Sequence, residues 1–399
     1  MPGGTLAKCA PVQIYTKFKQ PKPKRRSGGH WGWTILIVLA CVGAWWWWTH
    51  KDQAKSPGPQ AQLQTFDPTL PVTVVTNHVR PVVGASVQPT NRVAKTSSTN
   101  RVSATEPVFD NNTFPRPPRD AFEVQLALAR AGISSGSFDG VTGSQTRAAI
   151  RAFQLREGLI ETGAADVETK SRLQLTTPPF TSYVVGSNDL ARLQPISTTW
   201  LGKSQQSALD YETLLELVAE RGHAHPLFIK RLNPTVDWTN VMAGAELRIP
   251  NVSYPSPRTK AAFLVIHLAG KTLQAFDVNT NLLAHFPCSI AARVEKRPVG
   301  ELHVAVVAPN PNYTFDPEVF PESPEAQKIG RKLILPPGPN NPVGVAWIGL
   351  DKPGYGMHGT PSPEQVGRTE SHGCFRLANW NAEHLLKLVT VGTPVRVVE

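Results

Sequence analysis

Acidic residues are missing from the first thirty positions, and charges of either sign are missing from positions 31–48. The whole 399-residue chain holds only four cysteines. Each shortage excludes something. Cysteines at 9, 41, 288 and 374 are too few and too scattered for a disulfide framework, and no thiol-rich zinc spacing is present. The net charge of +11 invites a nucleic-acid reading, yet its placement removes it. Residues 1–30 carry +7 and residues 51–119 carry +4, whereas 120–257 carry −2 and 258–399 only +2. No segment with a folding pattern has the basic stripe that phosphate binding requires, so nucleic acid is not an expected partner.

The uncharged run from Trp31 to Trp48, WGWTILIVLACVGAWWWW, is about the minimum that crosses a roughly 30 Å hydrocarbon core. Lys22, Lys24, Arg25 and Arg26 stand just before it. The positive-inside tendency then puts the N-terminus in the cytoplasm and the bulk of the chain outside, with Trp45–Trp48 as an interfacial belt. A cleaved signal peptide is the rival reading, but no small-x-small site precedes a polar stretch. Val38-Leu39-Ala40-Cys41 loosely resembles a lipoprotein box, although apolar sequence continues past the cysteine. The expectation is a basic cytoplasmic tail (1–30), a single transmembrane helix in the inner membrane (31–48) and a Pro/Thr/Ser-rich tether (49–115). Cys9 and Cys41 would then be cytosolic and intramembrane, leaving only Cys288 and Cys374 in one compartment. Cys288, in the apolar run His285–Ile290, reads as a small buried strand residue.

Residues 116–178 read as compact and all-α. Asp120 caps a helix with Phe122, Leu126 and Ala129 on one face, Gly143-Ser144 opens a second with Ala149 and Phe153 inward, and Asp166 opens a third. Val124-Gln125-Leu126, Gly136–Gly140, the Gly143-x-x-Thr146-x-Ala148-Ala149 run and Phe153-Gln154 resemble a three-helix peptidoglycan-binding domain. In such domains Asp-Gly shapes the loop and Phe-Gln closes the core. Residues 180–251 read as α+β: a strand at Tyr183–Val185, an amphipathic helix over Tyr211–Glu220, a second helix ending at Leu232-Asn233-Pro234 and a strand ending at Pro250. That order is similar to a LysM module, which grips wall glycans. The stretch 186–210 is longer than such a module needs, and a spacer role is the alternative.

From Ala262 the pattern changes to short β-branched or alternating strands. A Pro/Gly-rich excursion over 309–342 is too long for a plain connection and reads as a cleft wall or lid. Little helix and many strands indicate a mostly-β sandwich or barrel. Within it lies Ser371-His372-Gly373-Cys374-Phe375-Arg376, with His358-Gly359-Thr360 upstream. A thiol becomes a strong nucleophile when an imidazole takes its proton, and a glycine-flanked backbone can aim amides at an oxyanion.

These pieces, with Arg297-Pro298-Val299-Gly300, Trp347-Ile348-Gly349-Leu350 and Gly392-Thr393-Pro394-Val395, resemble the YkuD-type L,D-transpeptidase domain over 258–399. The resemblance implies Cys374 as the nucleophile that forms a thioester with a wall stem peptide, and His358 as its base. It implies the Gly359 carbonyl as the orienter of the imidazole. Ser371, His372 and Gly373, with the Cys374 amide, support the oxyanion, and Arg376 braces the loop or meets a substrate carboxylate. An amine from a second stem resolves the thioester into a crosslink; water would make the enzyme a carboxypeptidase or endopeptidase instead. Two departures, Arg297 for the usual Thr and Phe375 for a small or aliphatic residue, are expected to reshape the cleft. No metal or other cofactor is implied, and the partner is peptidoglycan. A non-catalytic wall-binding scaffold is the remaining alternative, one expected to lack Cys374 or His358. Oligomeric state is not legible.

Overall fold

The computed structural model describes residues 113–320, 323–371 and 373–399. The tail, the anchor expected at 31–48, the tether through residue 112 and His372 lie outside the described residues. Among the described residues no helix is long and apolar enough to cross a membrane.

The first module follows its sequence cues closely. The Asp120 carboxylate accepts the Glu123 amide at 2.8 Å and starts α1 (Ala121–Arg130). Gln125 then knits the next loop: its amide donates to Asp139 Oδ1 at 2.8 Å and to Thr146 Oγ1 at 3.2 Å, and its carbonyl accepts from Gly140. Gly140 sits at φ +75°, a left-handed conformation that favours glycine. α2 (Ser144–Arg156) buries Ala149, Ile150 and Phe153, while Gln154 holds the loop to α3 (Val167–Arg172) through Thr162, Gly163 and Thr169.

The second module opens with β1 (Phe180–Val184) and ends with β2 (Glu246–Pro250), paired antiparallel from Phe180↔Pro250 to Val184↔Glu246. Between them lie α4 (Ser187–Ala191), α5 (Trp200–Gln205), α6 (Leu214–Arg221) and α7 (Pro226–Leu232). Thr213 and Glu216 form a capping box on α6. The Leu-Asn-Pro signal has a clear cause: the Asn233 amide donates to Ile229 O and Arg248 O and accepts from Arg248 N, so it locks α7 onto β2.

The catalytic segment contains β3 (Phe263–His267), β4 (Thr272–Phe276), β5 (Leu282–Pro287) and β6 (Gly300–Pro309). The 309–342 excursion folds as a flap: β7 (Tyr313–Phe315), α8 (Pro324–Ile329) and β8 (Leu333–Leu335), with β7 antiparallel to β8. β9 (Ala346–Leu350), β10 (Gly356–His358), β11 (Phe375–Arg376), α9 (Asn379–Leu388) and β12 (Pro394–Val398) complete it. The main sheet runs β11-β10-β9-β6-β12-β3-β4-β5. Just after β5, Ser289 exchanges both backbone hydrogen bonds with Arg376 on the opposite edge, at 2.9 and 3.0 Å. The sheet therefore closes on itself as a barrel, filled by Leu264, Ile266, Phe286, Ile348, Met357 and Val395 with α9 against it. Phe375 is 1% exposed within this core, so it fills the barrel and does not reshape the cleft as expected. Cys288 is buried in the same core, and desolvation pushes its thiol up in pKa.

The modules are not beads on a string. One apolar core joins Leu126, Leu128 and Ile150 of the first to Leu217 and Ile229 of the second and Leu282 of the barrel. The Ser134 amide donates to His285 O at 2.7 Å, so the first module covers the β5 edge. The stretch 186–210 packs against the flap. Leu209 is fully buried with Phe315, Leu333 and Leu335 of the flap, and Trp200 stacks on Phe315 at 4.5 Å.

Candidate active site

The site grows from the β9–β10–β11 corner of the barrel. β10 pairs antiparallel with β9, placing His358 opposite Trp347, and parallel with β11, placing His358 opposite Arg376. Partners across a ladder share a face, and so do alternate residues along a strand. Cys374 sits in the bend just before β11, two residues from Arg376, at the end of the strand that pairs with β10. Met357 and Phe375, one residue out of phase, enter the core.

The imidazole is held in one tautomer. His358 Nδ1 lies 2.6 Å from the Gly359 carbonyl, which can only accept, so Nδ1 carries the proton and Nε2 keeps its lone pair. The ring is 5% exposed and stacks on Trp347 at 5.7 Å. Burial drives its pKa down to about 4; the Gly359 hydrogen bond pulls upward and the Arg376 charge pushes further down. Gly356 leaves room for this stack, since a Cβ there would come 2.6 Å from Cη2 of Trp347.

Cys374 Sγ donates to Gly354 O at 3.3 Å and accepts from the Gly356 amide. Desolvation raises the thiol to about 11, against a downward pull from that amide and from Arg376. The resting pair is thus a neutral thiol and a neutral imidazole.

The loop around the thiol is braced from both sides. Ser371 Oγ donates to Cys374 O at 2.5 Å and accepts from the Gly373 amide at 3.3 Å. The Gly373 N–H is therefore engaged, while the Cys374 amide has no acceptor among the described residues. Ser371 also pairs with Ile290 and Ala292, and Arg297 donates to Ala291 O at 3.0 Å and Ala292 O at 3.4 Å. The departure at Arg297 thus acts on the strand behind the cysteine loop. Arg376 Nη1 donates to Glu370 O at 3.2 Å, and the guanidinium is half-buried beside the site. His372 lies outside the described residues.

Two residues that matter here carried no motif. Asn379, fully buried at the start of α9, accepts from the Thr360 amide at 2.9 Å and the Val345 amide at 3.4 Å. Its amide donates to both oxygens of Glu220 at 3.1 Å and to Pro339 O at 3.3 Å. A Cβ at Gly359 would stand 2.2 Å from Asn379 Oδ1, so the fold calls for glycine beside His358. Glu220, on α6 of the second module, thereby reaches the loop that orients His358. Desolvation raises its carboxyl to about 8, opposed by the Asn379 hydrogen bond.

This closed barrel thus brings a thiol and an oriented imidazole to one corner of its sheet. Residues 261–397 match the family "YkuD: L,D-transpeptidase catalytic domain", and residues 119–173 match "Putative peptidoglycan binding domain". The chain thus carries both domains. It is 26% identical over 165 residues to the "Putative L,D-transpeptidase YkuD" of Bacillus licheniformis, across 41% of this chain and 81% of that one. It is 36% identical over 107 residues to the "Putative L,D-transpeptidase YqjB" of Bacillus subtilis, covering 26% of this chain and 52% of the relative. Among solved structures, an L,D-transpeptidase from Mycobacterium smegmatis aligns at 20% identity and TM-score 0.28, over 40% of this chain and 65% of that one. One from Xylanimonas cellulosilytica aligns at 14% identity and TM-score 0.30, over 72% and 99%.

Proposed function

We propose that this chain is a membrane-anchored L,D-transpeptidase that crosslinks peptidoglycan stem peptides through a thioester on Cys374. The observation that carries the reading is the His358 tautomer: Nδ1 is committed to the Gly359 carbonyl, which leaves Nε2 as a base on the strand paired with the one that follows Cys374. The attacking sulfur gives its proton to Nε2 as it bonds to the carbonyl carbon between an L- and a D-centre. The Cys374 amide stabilises the developing oxyanion, with Ser371 fixing the turn that presents it and His372 and Gly373 flanking it. The imidazolium then protonates the departing amine and leaves a thioester. An amine from a second stem, giving its proton to Nε2, expels the sulfur and forms the crosslink.

The uncharged run Trp31–Trp48 supports a single-pass anchor with a cytoplasmic N-terminus and a catalytic part in the cell-wall space. The antiparallel β1–β2 pair with α6 and α7 between its strands supports a LysM-like reading of 180–251. Purified muropeptides incubated with the chain and followed by mass test the reaction. Crosslinked dimers are expected; shortened stems alone would make it a hydrolase of the same fold. Product formation unchanged by Cys374→Ala would sink the mechanism.

A further inference from the structure

A cleft of about 470 Å³ opens beside Arg376 and runs between two modules. The barrel supplies Ser362, Gln365, Thr369 and Arg376, whereas Trp200 and Lys203 come from α5, the insertion that exceeds the plain strand–helix–helix–strand core. No acidic side chain lines it. Lys203 rests over the Trp200 ring at 5.7 Å, and neither Lys203 nor Arg376 has a carboxylate in ion-pair distance among the described residues. Two uncompensated cations facing one partly desolvated cleft attract an anion and penalise a neutral isostere.

The placement of α5 is built. Thr199 caps it, the Trp200 amide donates to Glu325 Oε1 of the flap at 2.6 Å, and the Trp200 ring lies against Phe315, Tyr313 and Phe320. Arg376, two residues after Cys374, and Thr360, two residues after His358, line the cleft, so it lies beside the cysteine loop. Neutral N-acetylated sugars would gain little from two cations. A peptide carboxylate near the scissile bond gains from both, and the hydroxyls and amide of Ser362, Thr369 and Gln365 suit peptide groups around it.

We propose that this cleft is a carboxylate subsite spanning two modules, in which Lys203 and Arg376 together seat a free side-chain carboxylate of the stem peptide and select it over the amidated stem. The inference rests on the transpeptidase reading above and adds a specificity residue from outside the catalytic domain.

Two stem peptides test it, identical except that one bears a free side-chain carboxylate and the other its primary amide. Binding is measured by calorimetry on the full chain carrying Cys374→Ser, and turnover on the chain with its thiol intact. The free acid is expected to bind about tenfold more tightly, and Lys203→Met to bring the two peptides close to parity through KM rather than kcat. Lys203→Arg should keep the preference and Lys203→Glu reverse it. An acid-to-amide ratio that Lys203→Met leaves unchanged overturns the subsite while the transpeptidase reading stands. The expected binding ratio without any acyl transfer supports the subsite and overturns transpeptidation. A chain that binds neither peptide overturns both.

Discussion

Cys374 and His358 rest uncharged, and the physical cause is the same for both: burial removes the water that would stabilise either ion. In the proposed mechanism, proton transfer is therefore part of the attack and does not precede it. Alkylation by iodoacetamide should accelerate about tenfold per pH unit from neutrality toward the thiol pKa, because only the thiolate reacts. A rate already flat near neutral pH would reveal a preformed ion pair and refute the neutral resting state. Catalysis is limited at a much lower pH. Protonated imidazole cannot accept the thiol proton, so kcat/KM should hold down to weakly acidic pH and fall as pH drops through the imidazole pKa of about 4. The candidate thiol and imidazole stood out in the sequence because each lies in a short local string, Ser371–Arg376 and His358–Thr360. Phe375 was misread for a local reason: sequence places it beside the nucleophile, but strand alternation turns it into the core.

At the level of elements, the least legible feature is how α6, α9 and α5 serve the site. Asn379 meets Glu220 across 159 positions, and Trp200 meets Glu325 across 125, so no local periodicity points to either contact. Helices and caps were readable from Asp120 and Asp166 because their signals are confined to one turn. Asn379→Ala would strip the Thr360 and Val345 amides of their acceptor and take the amide donor from the Glu220 carboxyl. Each buried group left unpaired costs about 1–3 kcal/mol, so a chemical melt should show a loss of that order. The same variant frees Gly359 to shift, and kcat should fall more than KM rises. Normal kcat in a folded Asn379→Ala protein would detach this residue from the base. For the flap, Trp200→Ala removes the ring that stacks on Phe315. Limited proteolysis should then cut within 316–332 faster than in the wild type, and unchanged cutting would show that α5 does not hold the flap.

The whole molecule behaves as one packed unit over 113–399, since its modules share a core and their backbone hydrogen bonds cross the boundaries. Its stability should accordingly depend on pH through groups from every module. His223 and His285 are pushed down to about 3, and His358 and His384 to about 4, in each case mainly by burial. An unfolded histidine titrates near about 6.5, so between that pH and the folded values the unfolded chain binds more protons. Stability must then fall as pH drops below about 6.5. Glu220 has the opposite sign. Its carboxyl is raised to about 8, so the folded chain binds the extra proton from the ordinary carboxylate range up to that value, and stability declines as pH rises. Burial raises Glu216 and Glu383 as well, adding to that decline. Below about pH 6.5 the four imidazoles outweigh these carboxyls, and above it the Glu220 contribution is left alone. Calorimetry should give a melting temperature that peaks near about pH 6.5, falls steeply on the acid side and declines gently toward about pH 8. Glu220→Gln should flatten the alkaline decline and leave the acid limb in place. A melting temperature that keeps rising to pH 8 in the wild type would mean that Glu220 is ionised in the fold, and that Asn379 holds a carboxylate against the loop of His358.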